Sequence, residues 1–138
     1  LIERSLLGKV KAIIASDIDA KAVEIAQLNL KNAGCSGESV SSQACDFRNY
    51  RNIKSLTLGS VSLIITNPPL GRRVRVADMK GLFDEIFKVA ASSLRPGGRL
   101  VILNPLKLEN PDPFLKLESR HRVDVGGFEC RLEKWVKV

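Results

Sequence analysis

A chain of 138 residues with 44% hydrophobic content is long enough to bury one core, and it is read as a single domain spanning residues 1–138. No apolar run is long enough to span a bilayer and no charged-then-apolar leader is present, so a cytoplasmic protein without membrane contact is expected. The net charge of +7 favours a polyanionic partner such as RNA, while three cysteines without paired spacing (Cys35, Cys45 and Cys130) exclude a disulfide framework and a zinc site.

Taken in order, residues 1–7 carry Ile2, Leu6 and Leu7 at helical spacing and read as the tail of a helix stopped at Gly8. Residues 10–16 form an apolar strand that ends in Asp17-Ile18-Asp19, whose two carboxylates share one side because strand side chains alternate. A helix follows, with Asp19 suited to its N-cap, a narrow apolar stripe of Ala22, Val23, Ala26, Leu30 and Ala33, and Gly34 as its close. Residues 40–45 read as a second strand with Asp46 and Phe47 at its carboxyl end, and residues 48–60 as a helical or irregular connector.

Residues 61–66 are rich in β-branched side chains and read as a buried strand that stops abruptly at Asn67-Pro68-Pro69. The basic residues Arg72, Arg73, Arg75 and Lys80 come next, as an RNA-facing loop or simply a solvated one. Leu82, Phe83, Ile86, Phe87, Ala90 and Leu94 then define an amphipathic helix, ended by Arg95-Pro96-Gly97-Gly98. Residues 99–103 form another buried strand, residues 104–113 a proline-rich loop, residues 114–119 a short helix, and residues 122–125 with 128–138 a terminal antiparallel hairpin. This order predicts an α/β fold: a Rossmann-like, mostly parallel sheet with helices on both faces and a reversed strand in the closing hairpin.

Ligands of open α/β sheets bind at the carboxyl ends of the strands, so the residues there carry the functional reading. Two prolines remove two backbone donors, and the Asn67 turn therefore presents mainly acceptors: its amide oxygen and the Pro68 carbonyl. Two acceptors can hold both hydrogens of a planar amine and turn its lone pair toward an electrophile; the same tripeptide also makes an ordinary strand-ending turn. Asp17 is the candidate for a ribose diol, since one carboxylate accepts from two hydroxyls, although both acids can serve as helix caps. Asp46 and Phe47 can hold an adenine, through its amine and its face. His121 has no nucleophile partner and reads as a surface or satisfied histidine; Trp135 reads as core, and Asp84 and Glu85 as the exposed side of their helix.

Ser16-Asp17-Ile18-Asp19, the helix end Asn32-Ala33-Gly34, Asp46, Thr66-Asn67-Pro68-Pro69-Leu70-Gly71, Leu94-Arg95-Pro96-Gly97-Gly98 and the closing hairpin together resemble the class I S-adenosylmethionine-dependent methyltransferases. Within them the chain is most similar to the RNA methylase group, catalytic domains often joined to THUMP domains that methylate guanine N2 in tRNA or rRNA. The resemblance implies S-adenosyl-L-methionine as cofactor, with Asp17 on its ribose, Ile18 on its adenine and Asp46 on the adenine amine. Asn67 and Pro68 would hold the target amine. Leu70 stands where the group usually has Tyr or Phe to stack on a flipped base.

The resemblance also implies a first strand and a Gly-rich cofactor turn upstream of Asp17, and neither is found in this sequence. The expectation is an N-terminally incomplete methyltransferase fold, weak in cofactor binding and inactive as this chain alone, with strands left open to self-association. Two further readings stay open: a DNA adenine-N6 or protein glutamine methyltransferase, whose acceptors also offer a planar amine, and a degenerate fold serving as an RNA-binding module or partner subunit.

Overall fold

The computed structural model describes residues 10–35, 40–53, 56–71, 76–109 and 111–138. The expected helix at residues 1–7 and the basic residues Arg72, Arg73 and Arg75 lie outside them. The chain divides into two compact units, Leu1–Leu56 and Thr57–Val138.

In the first unit, strand β1 (Ile13–Asp17) leads into helix α1 (Ala20–Asn32), and β2 (Val40–Ala44) pairs parallel to β1, from Ile13 opposite Val40 to Asp17 opposite Ala44. Asp19 is the N-cap of α1, as expected, and accepts the Lys21 N–H at 2.9 Å. Gly34, at φ +68, takes the left-handed turn that releases the chain after the C-cap. Val23 and Ile53 are buried, and the connector begins as a short 3-10 helix, Phe47–Asn52.

The second unit is a four-stranded sheet in the order β3, β4, β6, β5, with β3 at Val61–Thr66, β4 at Leu94–Asn104, β5 at Leu115–Asp124 and β6 at Glu129–Lys137. β3 and β4 run parallel, and β6 is antiparallel to both β4 and β5. Helix α2 (Met79–Ser93) crosses over from β3 to β4 and buries Phe83, Ile86, Phe87 and Ala90, four positions at helical spacing. They face a sheet surface made by alternation: Leu100 and Ile102 of β4 and Trp135 of β6 are fully buried. Phe87 meets Trp135 edge to face, with ring centroids 5.2 Å apart at 78°, which confirms Trp135 as core.

Three expectations are corrected here. Residues 114–119 form no helix: Leu115 and Leu117 lie in β5, opposite Lys137 and Trp135 of β6. Phe114, Leu115 and Leu117 satisfy helical and strand spacing alike, and the pairing with β6 decides between them. Arg95-Pro96-Gly97-Gly98 does not lie outside the sheet; it is an irregularity within β4 that shifts the register between Val61 and Leu63. Gly97 sits at φ +73, and a Cβ on Gly98 would stand 2.8 Å from the Val61 and Arg95 carbonyl oxygens, so neither position accommodates a side chain. Finally, no residue of β3 is fully buried: Leu63 and Ile65 on one face are 44% and 72% exposed, while Ile64 and Thr66 on the other are half-buried.

Candidate active site

Asp17 and Asp46 come to the same end of the two-stranded sheet, because Asp17 pairs with Ala44 and its carbonyl accepts the Cys45 N–H at 2.8 Å. Asp17 Oδ1 accepts the Asp19 N–H at 2.9 Å, which orients the carboxylate, and Oδ2 has no partner among the described residues. Ile18 beside it is 72% exposed, an apolar surface available to a flat ring. Asp19 Oδ1 in turn accepts the Lys21 N–H at 2.9 Å, so each acid uses one oxygen on a backbone N–H and neither second oxygen has a partner among the described residues.

Asp46 is the N-cap of the 3-10 helix. Its Oδ1 accepts the backbone N–H and the Nε–H of Arg48, each at 3.0 Å, and its Oδ2 pairs with Arg48 Nη2 at 3.0 Å. The Arg48 backbone N–H is the chief reason its carboxyl sits below the usual range; partial burial opposes this, and the guanidinium adds to it. The same guanidinium lies 5.6 Å from the centre of the Phe47 ring. An ionised carboxylate offers about four acceptor positions, so three bonds from Arg48 leave room for one more donor such as an adenine amine. These residues therefore fit the nucleoside part of a cofactor.

In the second unit β3 delivers Asn67 exposed, Pro68 buried, Pro69 exposed and Leu70 half-buried. The Asn67 side chain has no hydrogen-bond partner among the described residues, so its oxygen is available. Gly71, at φ +82, turns the chain away, and a Cβ there would stand 2.9 Å from Met79 Cε. Lys80 belongs to the first turn of α2 and not to the loop before it, and its Nζ pairs with Asp84 Oδ2 at 2.7 Å. Lys88 pairs with Glu85 at 2.9 Å, so both acids of that helix are engaged on its outer side. His121 is exposed on β5, opposite Leu132.

A buried polar cluster at the carboxyl end of β4 escapes sequence reasoning. Glu133 is fully buried; its Oε2 accepts from Asn104 Nδ2 at 2.9 Å and Trp135 Nε1 at 3.0 Å, and its Oε1 from Arg120 Nε at 2.8 Å. Asn104, also fully buried, accepts the Leu106 N–H at 2.8 Å. The available signal is alternation along β6, which puts Glu133 on the face of Trp135. Among the described residues no group of His, Cys, Asp or Glu is placed to hold a metal ion, and no helix is long and apolar enough to cross a membrane.

Parallel strands joined by helical crossovers, β1 to β2 through α1 and β3 to β4 through α2, define a Rossmann-like α/β fold. The chain belongs to the RMKL-like methyltransferase domain family, whose model matches residues 2–124. S-adenosyl-L-methionine is the methyl donor that this assignment carries. No curated protein matches the chain. Among solved structures it is similar to TrmN from Thermus thermophilus, at 26% identity and a TM-score of 0.74, over 92% of this chain and 36% of that one. It thus spans about a third of the Thermus protein's length. An rRNA methylase from Streptococcus thermophilus matches at 16% identity and a TM-score of 0.65, over 96% of this chain and 77% of that one. Magnesium protoporphyrin IX methyltransferase from Synechocystis PCC 6803, solved with bound SAM, matches at 16% identity and a TM-score of 0.68, over 99% and 64%. At that identity the last two show the fold alone.

Proposed function

We propose that this domain serves methyl transfer from S-adenosyl-L-methionine to an exocyclic base amine of RNA, guanine N2 in tRNA or rRNA. The observation that carries the reading is the exposed Asn67 side chain at the carboxyl end of β3, which has no hydrogen-bond partner among the described residues and is followed by the buried Pro68. In this reading Asp17 accepts from the ribose hydroxyls, Ile18 and Phe47 lie against the adenine, and Asp46 accepts from its amine. Asn67 and the Pro68 carbonyl each accept one N–H of the target amine, which directs the nitrogen lone pair toward the methyl carbon. When bound, the sulfonium supplies an electrophilic methyl group and leaves as a neutral thioether. The surplus proton of the held amine would pass to solvent. Pro69 stiffens the turn, and Leu70 presses on the base without offering a ring. Arg72, Arg73, Arg75 and Lys80 contribute phosphate contacts, Lys80 in competition with Asp84.

The net charge of +7 supports RNA as the acceptor. The test is incubation of the intact protein with labelled cofactor and separate pools of tRNA, rRNA, DNA and release factor. Label is expected in one of the RNA pools; label in DNA or protein alone moves the acceptor to adenine N6 or a glutamine amide. The half-buried Leu70 favours one second reading, a methyltransferase fold retained as an RNA-binding subunit. Its mark is salt-dependent RNA binding with no label in any pool.

A further inference from the structure

We propose that Glu133, acting through Asn104 and Arg120, holds residues 105–108 as a side wall of the methyl-acceptor site; this rests on the acceptor role of the Asn67 turn. The register brings the start of this loop beside the turn, and the loop is held from behind by β6 and β5. Thr66 of β3 pairs with Ile102 of β4, so Pro68 and Asn104 stand two residues beyond the last pair at the same end of two strands about 4.8 Å apart. The chain leaving β4 there is gripped at three backbone atoms. Asn104 Oδ1 takes the Leu106 N–H at 2.8 Å, Arg131 Nη1 reaches the Leu106 carbonyl at 3.4 Å, and Arg120 Nη2 donates to the Leu108 carbonyl at 2.9 Å.

Two of these grips converge on one carboxylate. Asn104 turns its amide nitrogen, and Arg120 its Nε, on Glu133, so the loop-holding atoms are oriented by a group that is itself fully buried. Ile102 pairs with Glu133 and Asn104 with Arg131, which sets the cluster at the turn's end of the sheet. A fully desolvated carboxylate is an expensive feature in a strand that already buries Trp135 and Cys130. The apolar core does not need it, and what it adds is a fixed path for residues 105–108. Asn104, Arg120 and Glu133 are therefore positioning residues for the acceptor and not for the cofactor.

The test compares two variants of the intact protein in methyl-transfer kinetics. Arg120→Lys keeps a cation beside Glu133, but one ammonium cannot reproduce the guanidinium fork that reaches both Glu133 and Leu108. It is expected to lower kcat/KM for the acceptor by about 10- to 100-fold, the scale of a misplaced reactant, with the cofactor KM unchanged. Trp135→Phe removes a donor to Glu133 that touches no part of the loop, and it is expected to lower the melting temperature while leaving the acceptor KM alone. Wild-type acceptor kinetics in Arg120→Lys, or equal shifts of both KM values in both variants, would overturn the proposal. If the unaltered protein labels DNA or a protein amide, the same comparison is made with that acceptor and decides the wall on its own. If it labels no pool, the acceptor reading falls and the wall with it.

Discussion

Removing the Asn67 side chain is the perturbation that separates chemistry from folding most sharply. Asn67 is exposed and its amide has no partner among the described residues, so Asn67→Ala removes no bond among them. An exposed substitution of this kind stays within about 0.5 kcal/mol in stability. The Pro68 carbonyl is backbone and remains, so one of two acceptors for the target amine is lost. By analogy with the loss of one preorganised hydrogen-bonding group in an active site, kcat is expected to fall about 10²- to 10³-fold, or roughly 2.7–4 kcal/mol. Asp17 and Asp46 are untouched, so cofactor affinity is expected to stay unchanged. The assay is single-turnover methyl transfer to the labelled RNA pool, with cofactor affinity by calorimetry and melting temperature on the same preparations. Equal loss of transfer and cofactor affinity, or a large drop in melting temperature, would show that Asn67 is structural and refute the acceptor reading.

Three further outcomes follow from the same structure. Phe87→Ala empties a fully buried site against Trp135 and is expected to cost about 3–5 kcal/mol in chemical denaturation. Leu70→Tyr restores a ring where a flipped base would lie and is expected to tighten acceptor binding by part of roughly 1–3 kcal/mol, read as a lower acceptor KM with the cofactor KM unaltered. Asp46→Ala removes the 3-10 cap and is expected to cost about 0.5–2 kcal/mol at neutral pH. Because the Asp46 pKa is lowered from its ordinary 3.8, its ionic contribution is complete above that value and is lost as pH falls below it through the folded value. The stability difference between wild type and Asp46→Ala should therefore shrink in denaturation series run below pH 3.8.

Features decided within a few residues were legible in the sequence. β3 is bounded on one side by its β-branched run and on the other by Asn67-Pro68, and the apolar stripe of α2 recurs every three to four residues. Asp19 as the N-cap of α1 follows from capping geometry. The strand at Leu115–Asp124 was not legible, because its apolar residues satisfy two periods and only hydrogen bonding to β6 selects one. The exposure of Leu63 and Ile65 was hidden for a related reason: composition marks a strand as apolar but does not say how far each of its faces is covered.

The Glu133 cluster was the least legible part of the candidate site. Its members lie 13 and 29 residues from Glu133 in sequence, at Arg120 and Asn104, and only the β4–β6–β5 register brings them together. Alternation alone places Glu133 inward, beside Trp135, where an unpaired carboxylate would not be tolerated. That conflict carries information, since an acid on the buried face of a strand requires donors from neighbouring strands. In this fold the donors come from β4, from the edge strand β5, and from Trp135 on β6 itself. Satisfying one buried charge thereby ties the loop after β4 to the same end of the sheet as the acceptor turn.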